Sequence, residues 1–197
     1  TGPRRGRAGA VAPVAGAAIV AGLVLIRRRR RRTLPPIPVA TAEPLIAALS
    51  ERHLTVATAE SCSGGVLSAL LSSVPGAGDV FRGGVVAYTT DLKHQLLHVP
   101  ADVVERHGVV SDAVARAMAH GARRHLEADL GLAVTGLIGA PQEGKPSGLV
   151  YVAVAGPDGA ERCVELADNH GPEGNREEAA RVAFAVGREL VADRPGR

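Results

Sequence analysis

The 197-residue sequence has no Trp, two Tyr, two Phe, one Met and two Cys. With so few rings it has no stacking platform for single-stranded nucleic acid. Cys62 and Cys163 allow at most one disulfide, too few for a secreted disulfide scaffold, and they fit a reducing compartment. Lysine is equally scarce, with Lys93 and Lys145 standing against 21 arginines. Residues 1–36 contain no acidic residue and nine Arg, which leaves 14 basic against 20 acidic residues in the remainder. The isoelectric point near 9.3 therefore belongs to the N-terminal stretch. A nucleic-acid binder carries its positive charge on the fold, and this one would not, so no nucleic-acid partner is expected. The body of about 160 residues suits one domain with a Val, Leu, Ala and Ile core.

Val11–Ile26 is uncharged, interrupted by Pro13, Gly16 and Gly22, and followed by Arg27 to Arg32. It is shorter than the roughly 20 residues of a membrane-spanning helix, and its arginine flank is wrong for a cleaved signal. If inserted, the arginine block would stay on the cytoplasmic side. The expected organisation is a leader and linker over residues 1–38 and one domain over residues 39–193. The domain is placed in the cytoplasm, with membrane contact only if residues 11–26 are an anchor.

In the body, helical and strand signals alternate. Thr41 reads as the cap of a helix over 41–53, followed by a strand over 54–59 and a helix from Val66. A strand over 83–89 leads to helices over 91–97 and 101–107, and Ser111 caps a longer one. Strands over 130–134, 149–154 and 161–166 follow, the last two joined by a hairpin turn at Gly156–Gly159. Asn175 with Glu178 forms a capping-box pattern for a final helix to about Val191. Such alternation implies an α/β fold with a mixed sheet.

The richest passage is Thr58-Ala59-Glu60-Ser61-Cys62-Ser63-Gly64-Gly65. A strand that ends in hydroxyls and paired glycines before a helix offers backbone N–H groups and a positive helix end to an anion. Ser61, Ser63 and the Cys62 thiol are candidate nucleophiles there, and the same residues also suit an ordinary capped turn. A second passage runs from Tyr88 to Lys93. In a chain that uses arginine almost everywhere, a lysine can mark a place where loss of a proton matters, because arginine effectively never loses one; two ordinary solvated lysines are the other reading. His94 and His98 have metal-ligand spacing, but no third ligand is suggested nearby; a solvated helix face explains them, and neither metal nor cofactor is expected.

These two passages resemble the CinA C-terminal domain family of competence/damage-inducible proteins, which includes stand-alone nicotinamide mononucleotide amidohydrolases. The resemblance extends through Gly108-Val109-Val110-Ser111, Val134-Thr135-Gly136 and Lys145-Pro146-Ser147-Gly148, and covers about residues 41–191. It implies a three-layer α/β/α sandwich with a mixed, mostly parallel sheet. It also implies hydrolysis of the carboxamide of nicotinamide mononucleotide to nicotinate mononucleotide and ammonia, without a metal. Carried over, Ser61 is the nucleophile with Ser63 as the alternative, Lys93 is the general base, and Tyr88 orients the lysine or the substrate. Thr58, Glu60, Gly64, Gly65, Thr135, Gly136, Lys145 and Arg176 are the implied substrate-binding residues, with the Gly64/Gly65 helix start holding the phosphate or the oxyanion. The partner is a small-molecule nucleotide, and a homo-oligomer is expected.

Lysine has an ordinary pKa of about 10.4, so a base at neutral pH must be desolvated or set beside another cation. Lys93 is therefore expected to be buried against a hydroxyl. The chain departs from the family at Leu137 to Gly144, where the loop is about two residues shorter, and at Asp168 to Asn175, the entry to the last helix. With the loop altered, a catalytically idle module that binds a ligand or partner is the alternative to an enzyme.

Overall fold

A computed structural model describes Gly2, residues 38–142 and residues 144–193. The expected leader, its apolar stretch at 11–26 and the arginine run lie outside the described residues. Among the described residues, no helix is long and apolar enough to cross a membrane.

The chain opens with α1 (Glu43–Glu51), which has a proline in its first turn and buries Leu45, Ile46 and Leu49. Pro44 can sit there because the first helical N–H groups have no partner within the helix. Thr41, expected to cap this helix, instead lies in a preceding 3₁₀ turn, and its hydroxyl donates to the carbonyl of Pro38 at 2.7 Å. Next come β1 (Val56–Glu60), α2 (Val66–Ser72), β2 (Phe81–Val86), α3 (Thr90–Leu97), α4 (Ala101–His107) and α5 (Asp112–His125). The chain ends with β3 (Leu130–Gly136), β4 (Val150–Ala155), β5 (Glu161–Leu166) and α6 (Gly171–Ala192).

The five strands form one sheet in the order β2-β1-β3-β4-β5. β1 pairs in parallel with β2 and β3, while β4 runs antiparallel to both β3 and β5. Four strands thus share one direction, yet only two of the four pairings are parallel. All five residues of β1 are buried, as expected for a central parallel strand covered on both faces. Glu60 lies level with Val86 on one side and with Val134 on the other. β2 therefore ends earlier than the expected 83–89. Past Ala87, whose amide takes the Glu60 carbonyl, β1 offers nothing more to pair with.

The two faces of the sheet differ in the size of their side chains. Val56, Leu132, Val134, Val152 and Val154 pack against α1, α2 and α6. Ala57, Ala59, Ala133, Ala153 and Ala155 pack against α3 and α5. Small residues let α5 settle close to the sheet. At Gly131 a Cβ would lie 2.0 Å from the carbonyl oxygen of Ala119 on that helix, so only glycine fits.

Ser111 caps α5 as expected, accepting from the amide of Val114 at 3.3 Å. The last helix differs from the expectation. It begins at Gly171 with a proline in its first turn, and Asn175 is buried inside it. The Asn175 side-chain oxygen accepts from the amide of His170 at 2.8 Å, so this residue steadies the helix entry from within.

Candidate active site

The chain leaves β1 for one neighbour, β2, and returns to the other, β3. In an open α/β sheet such a switch point opens a crevice at the carboxyl ends of the strands. Here the aligned ends of β1, β2 and β3 deliver residues 61–65, 87–90 and 135–137 to the same rim. A cleft of about 660 Å³ lies there, lined by Ser61, Cys62, Tyr88 to Thr90, Val109, Val110 and residues 135–142.

Ser61 is the first residue past β1, and its amide is fixed to the carbonyl of Val134 at 3.1 Å. Lys93, one turn into α3, is fully buried and turns back toward the connection that precedes its helix. Its Nζ lies 2.9 Å from Ser61 Oγ, 2.8 Å from the Ala87 carbonyl and 3.5 Å from the Tyr88 carbonyl. None of these partners is anionic. Burial without a counter-charge lowers the lysine from 10.5 to about 8. Of the two hydroxyls flanking Cys62, only that of Ser61 meets the amine. Ser63 is also buried, but its hydroxyl has no hydrogen-bond partner among the described residues. The Cys62 thiol lines the cleft, and burial pushes it up to about 12, which keeps it protonated and unsuited to the thiolate role.

Glu60 has a different task from the substrate contact expected of it. Its fully buried carboxylate accepts from the amides of Gly65 at 2.9 Å, Leu67 at 3.0 Å and Ser68 at 2.8 Å, and from the Ser68 hydroxyl at 2.6 Å. The Thr58 hydroxyl completes this network, 2.7 Å from that of Ser68. The helix start at Gly64 and Gly65, expected to receive a phosphate or an oxyanion, is thus already filled by the chain's own carboxylate. Gly65 supplies the left-handed backbone, φ 101°, that brings its amide onto Glu60.

Tyr88 contributes its carbonyl to Lys93, while its side chain stands 69% exposed at the cleft. Thr135 and Gly136 line the cleft, and the Thr135 hydroxyl donates to the Val109 carbonyl at 3.2 Å. Lys145 is not among the lining residues. Its Nζ donates to the carbonyls of Val110 at 2.7 Å and His107 at 3.2 Å, tying the 137–148 loop to the α4–α5 connection. Arg176 reaches over from α6, and its Nε donates to the Cys62 carbonyl at 3.2 Å, bracing the turn after β1. The sequence assigns no role to Thr89, Thr90, Val109, Val110 or Gln142, yet all of them line the cleft. Two of its motifs contained the first four, but only the fold shows that they face one space. His94 Nδ1 lies 2.6 Å from the Val99 carbonyl, and the His98 ring meets that of His125 edge-on.

The sequence profile of the CinA C-terminal domain matches residues 39–191. The chain belongs to that family. A CinA-like protein of Parasynechococcus marenigrum (strain WH8102) is 51% identical over 127 residues, which is 63% of this chain and 30% of that protein. Another, from Synechococcus sp. (strain RCC307), is 47% identical over 138 residues, 69% of this chain and 32% of its own. The chain therefore spans about a third of the length of these CinA-like relatives. Among solved structures, competence/damage inducible protein CihA from Agrobacterium tumefaciens is 32% identical, with a TM-score of 0.75 over 80% of this chain and 97% of that one. The competence damage-inducible protein A (ComA) from Klebsiella pneumoniae subsp. pneumoniae MGH 78578 is 28% identical, with a TM-score of 0.76 over 80% and 98%.

Proposed function

We propose that this CinA-family domain is a cytoplasmic amidohydrolase that converts nicotinamide mononucleotide to nicotinate mononucleotide and ammonia. The observation that carries the reading is the contact between the buried Lys93 amine and the Ser61 hydroxyl at the floor of a cleft. A neutral amine has two N–H groups and one lone pair. Two of its three neighbours, the carbonyls of Ala87 and Tyr88, only accept. They take the two N–H groups and leave the lone pair facing the hydroxyl proton. With the amine near 8, about one molecule in ten is already in this form at pH 7.

Lys93 then takes the proton of Ser61 as Oγ bonds to the carboxamide carbon. The proton passes to the departing nitrogen, which leaves as ammonia. Water attacks the resulting ester with the same amine as base, and nicotinate mononucleotide is released. In the turn, the amides of Ser61, Gly64, Gly65 and Val66 are engaged with the Val134 and Ser61 carbonyls, the Glu60 carboxylate and the Ser63 carbonyl. Cys62 lines the cleft beside Ser61, and its backbone amide is the candidate donor for the developing oxyanion. The cleft volume falls in the range of small-molecule sites, roughly 300–1,000 Å³.

Ammonia release from nicotinamide mononucleotide tests the proposal. Ser61→Ala and Lys93→Arg should each lose at least about 10²-fold in kcat, because one lacks the nucleophile and the other cannot give up its proton. Near-normal turnover by either variant would defeat the dyad. Binding without ammonia release by the unmodified chain would leave a ligand-binding module.

A further inference from the structure

The two lysines of this chain are placed alike. Lys93 sets its amine against the carbonyls of Ala87 and Tyr88, and Lys145 sets its own against those of Val110 and His107. A compact ammonium whose donors turn freely suits two converging carbonyls better than a planar guanidinium fork. The His107 carbonyl is one that the end of α4 leaves without a helical partner, so the ammonium satisfies it as well.

Lys145 also joins two walls of the cleft. One wall is the α4–α5 connection, with Val109 and Val110, and another is residues 137–142 of the β3–β4 loop. The root of this loop is fixed by the sheet and the core. The Leu137 amide donates to the Leu149 carbonyl at 2.8 Å and the Gly148 amide to the Leu137 carbonyl at 2.6 Å, while Leu137 and Leu149 are buried with Val110. The tip is bonded to itself, Gln142 and Lys145 exchanging amide-to-carbonyl bonds of 3.2 and 2.8 Å. Residues 139–142 are exposed. What ties this tip to the opposite wall is the Lys145 amine, at 2.7 Å from the Val110 carbonyl.

We infer that Lys145 is a positioning residue, whose amine latches the tip of one cleft wall to the other and sets the grip on substrate without touching it. The effect on substrate rests on the nucleotide reading, and the latch itself does not. The dyad is independent of the latch, because Ser61 is fixed to Val134 and Lys93 to Ala87 and Tyr88. Lys145→Met, which keeps an apolar stem and loses the amine, should therefore act on binding and spare the chemistry.

The test combines kinetics with amide exchange on the full chain. Lys145→Met should raise KM for nicotinamide mononucleotide at least about tenfold and leave kcat within about threefold. In the substrate-free protein, the Gln142 amide should exchange with deuterium at least about tenfold faster in the variant. An unchanged KM, or a fall in kcat that accounts for the whole loss, would overturn the inference. So would a raised KM with unchanged exchange, since Lys145 would then be touching the substrate. Lys145→Gln repeats both measurements if Lys145→Met does not fold. In the unmodified chain the Gln142 and Lys145 amides should already exchange at least about tenfold more slowly than an unstructured peptide, and fast exchange there sinks the latch without any variant. If the unmodified chain releases no ammonia, the nucleotide reading fails while the exchange rates still judge the latch.

Discussion

Lys93 is held between two carbonyls and a hydroxyl with no anion to stabilise its charge, and this sets how the site responds to pH. If the neutral amine is the base, kcat/KM should rise with pH, reach half its maximum near 8 and then level off. A profile flat from pH 6 to 9 would show that the amine does not titrate in the catalytic step. This residue was legible in the sequence because lysine is so rare there and arginine cannot play the part. Which of Ser61 and Ser63 meets the amine was not, since both hydroxyls flank Cys62 and only the path of the turn separates them. Glu60 was misread for a related reason. Local capping rules look within three residues of a helix start, and this carboxylate reaches amides five to eight positions away, from the end of the preceding strand.

At the level of elements, the face of the sheet built from alanines brings α5 against β3. A methyl group added at Gly131 would meet the Ala119 carbonyl at 2.0 Å. Gly131→Ala should therefore lift α5 from the sheet and cost about 1–3 kcal/mol in chemical denaturation. An unchanged midpoint would mean that the helix can shift freely. Helices and strands were readable in kind because their apolar periods are clear, yet several of their ends were misplaced. The proline in the first turn of α6 was the true start signal, while Asn175 mimicked a cap but lies buried one turn further in. The end of β2 is fixed by where its partner strand stops, and no local pattern encodes that.

For the molecule as a whole, the buried amine is a burden on stability. Lys93 falls from 10.5 unfolded to about 8 folded, so between these values the unfolded chain binds the extra proton and stability should rise with pH. Below about 8 the full cost of the buried ammonium applies. Lys93→Met should accordingly stabilise the fold at pH 7 by on the order of 2 kcal/mol, once the lost hydrogen bonds are set against the removed charge. The advantage should shrink as pH climbs toward 10, which unfolding curves of the two proteins at several pH values would show. A variant that is less stable than the parent at pH 7 would mean that the amine's hydrogen bonds outweigh its desolvation.

The carboxylate that closes the start of α2 has one more consequence. Because Glu60 rather than an arriving molecule supplies the negative charge there, the turn from Ser61 to Gly65 is tied down before anything enters. The entropy of ordering that turn is spent once, as the chain folds, and is not charged again to each encounter with a substrate.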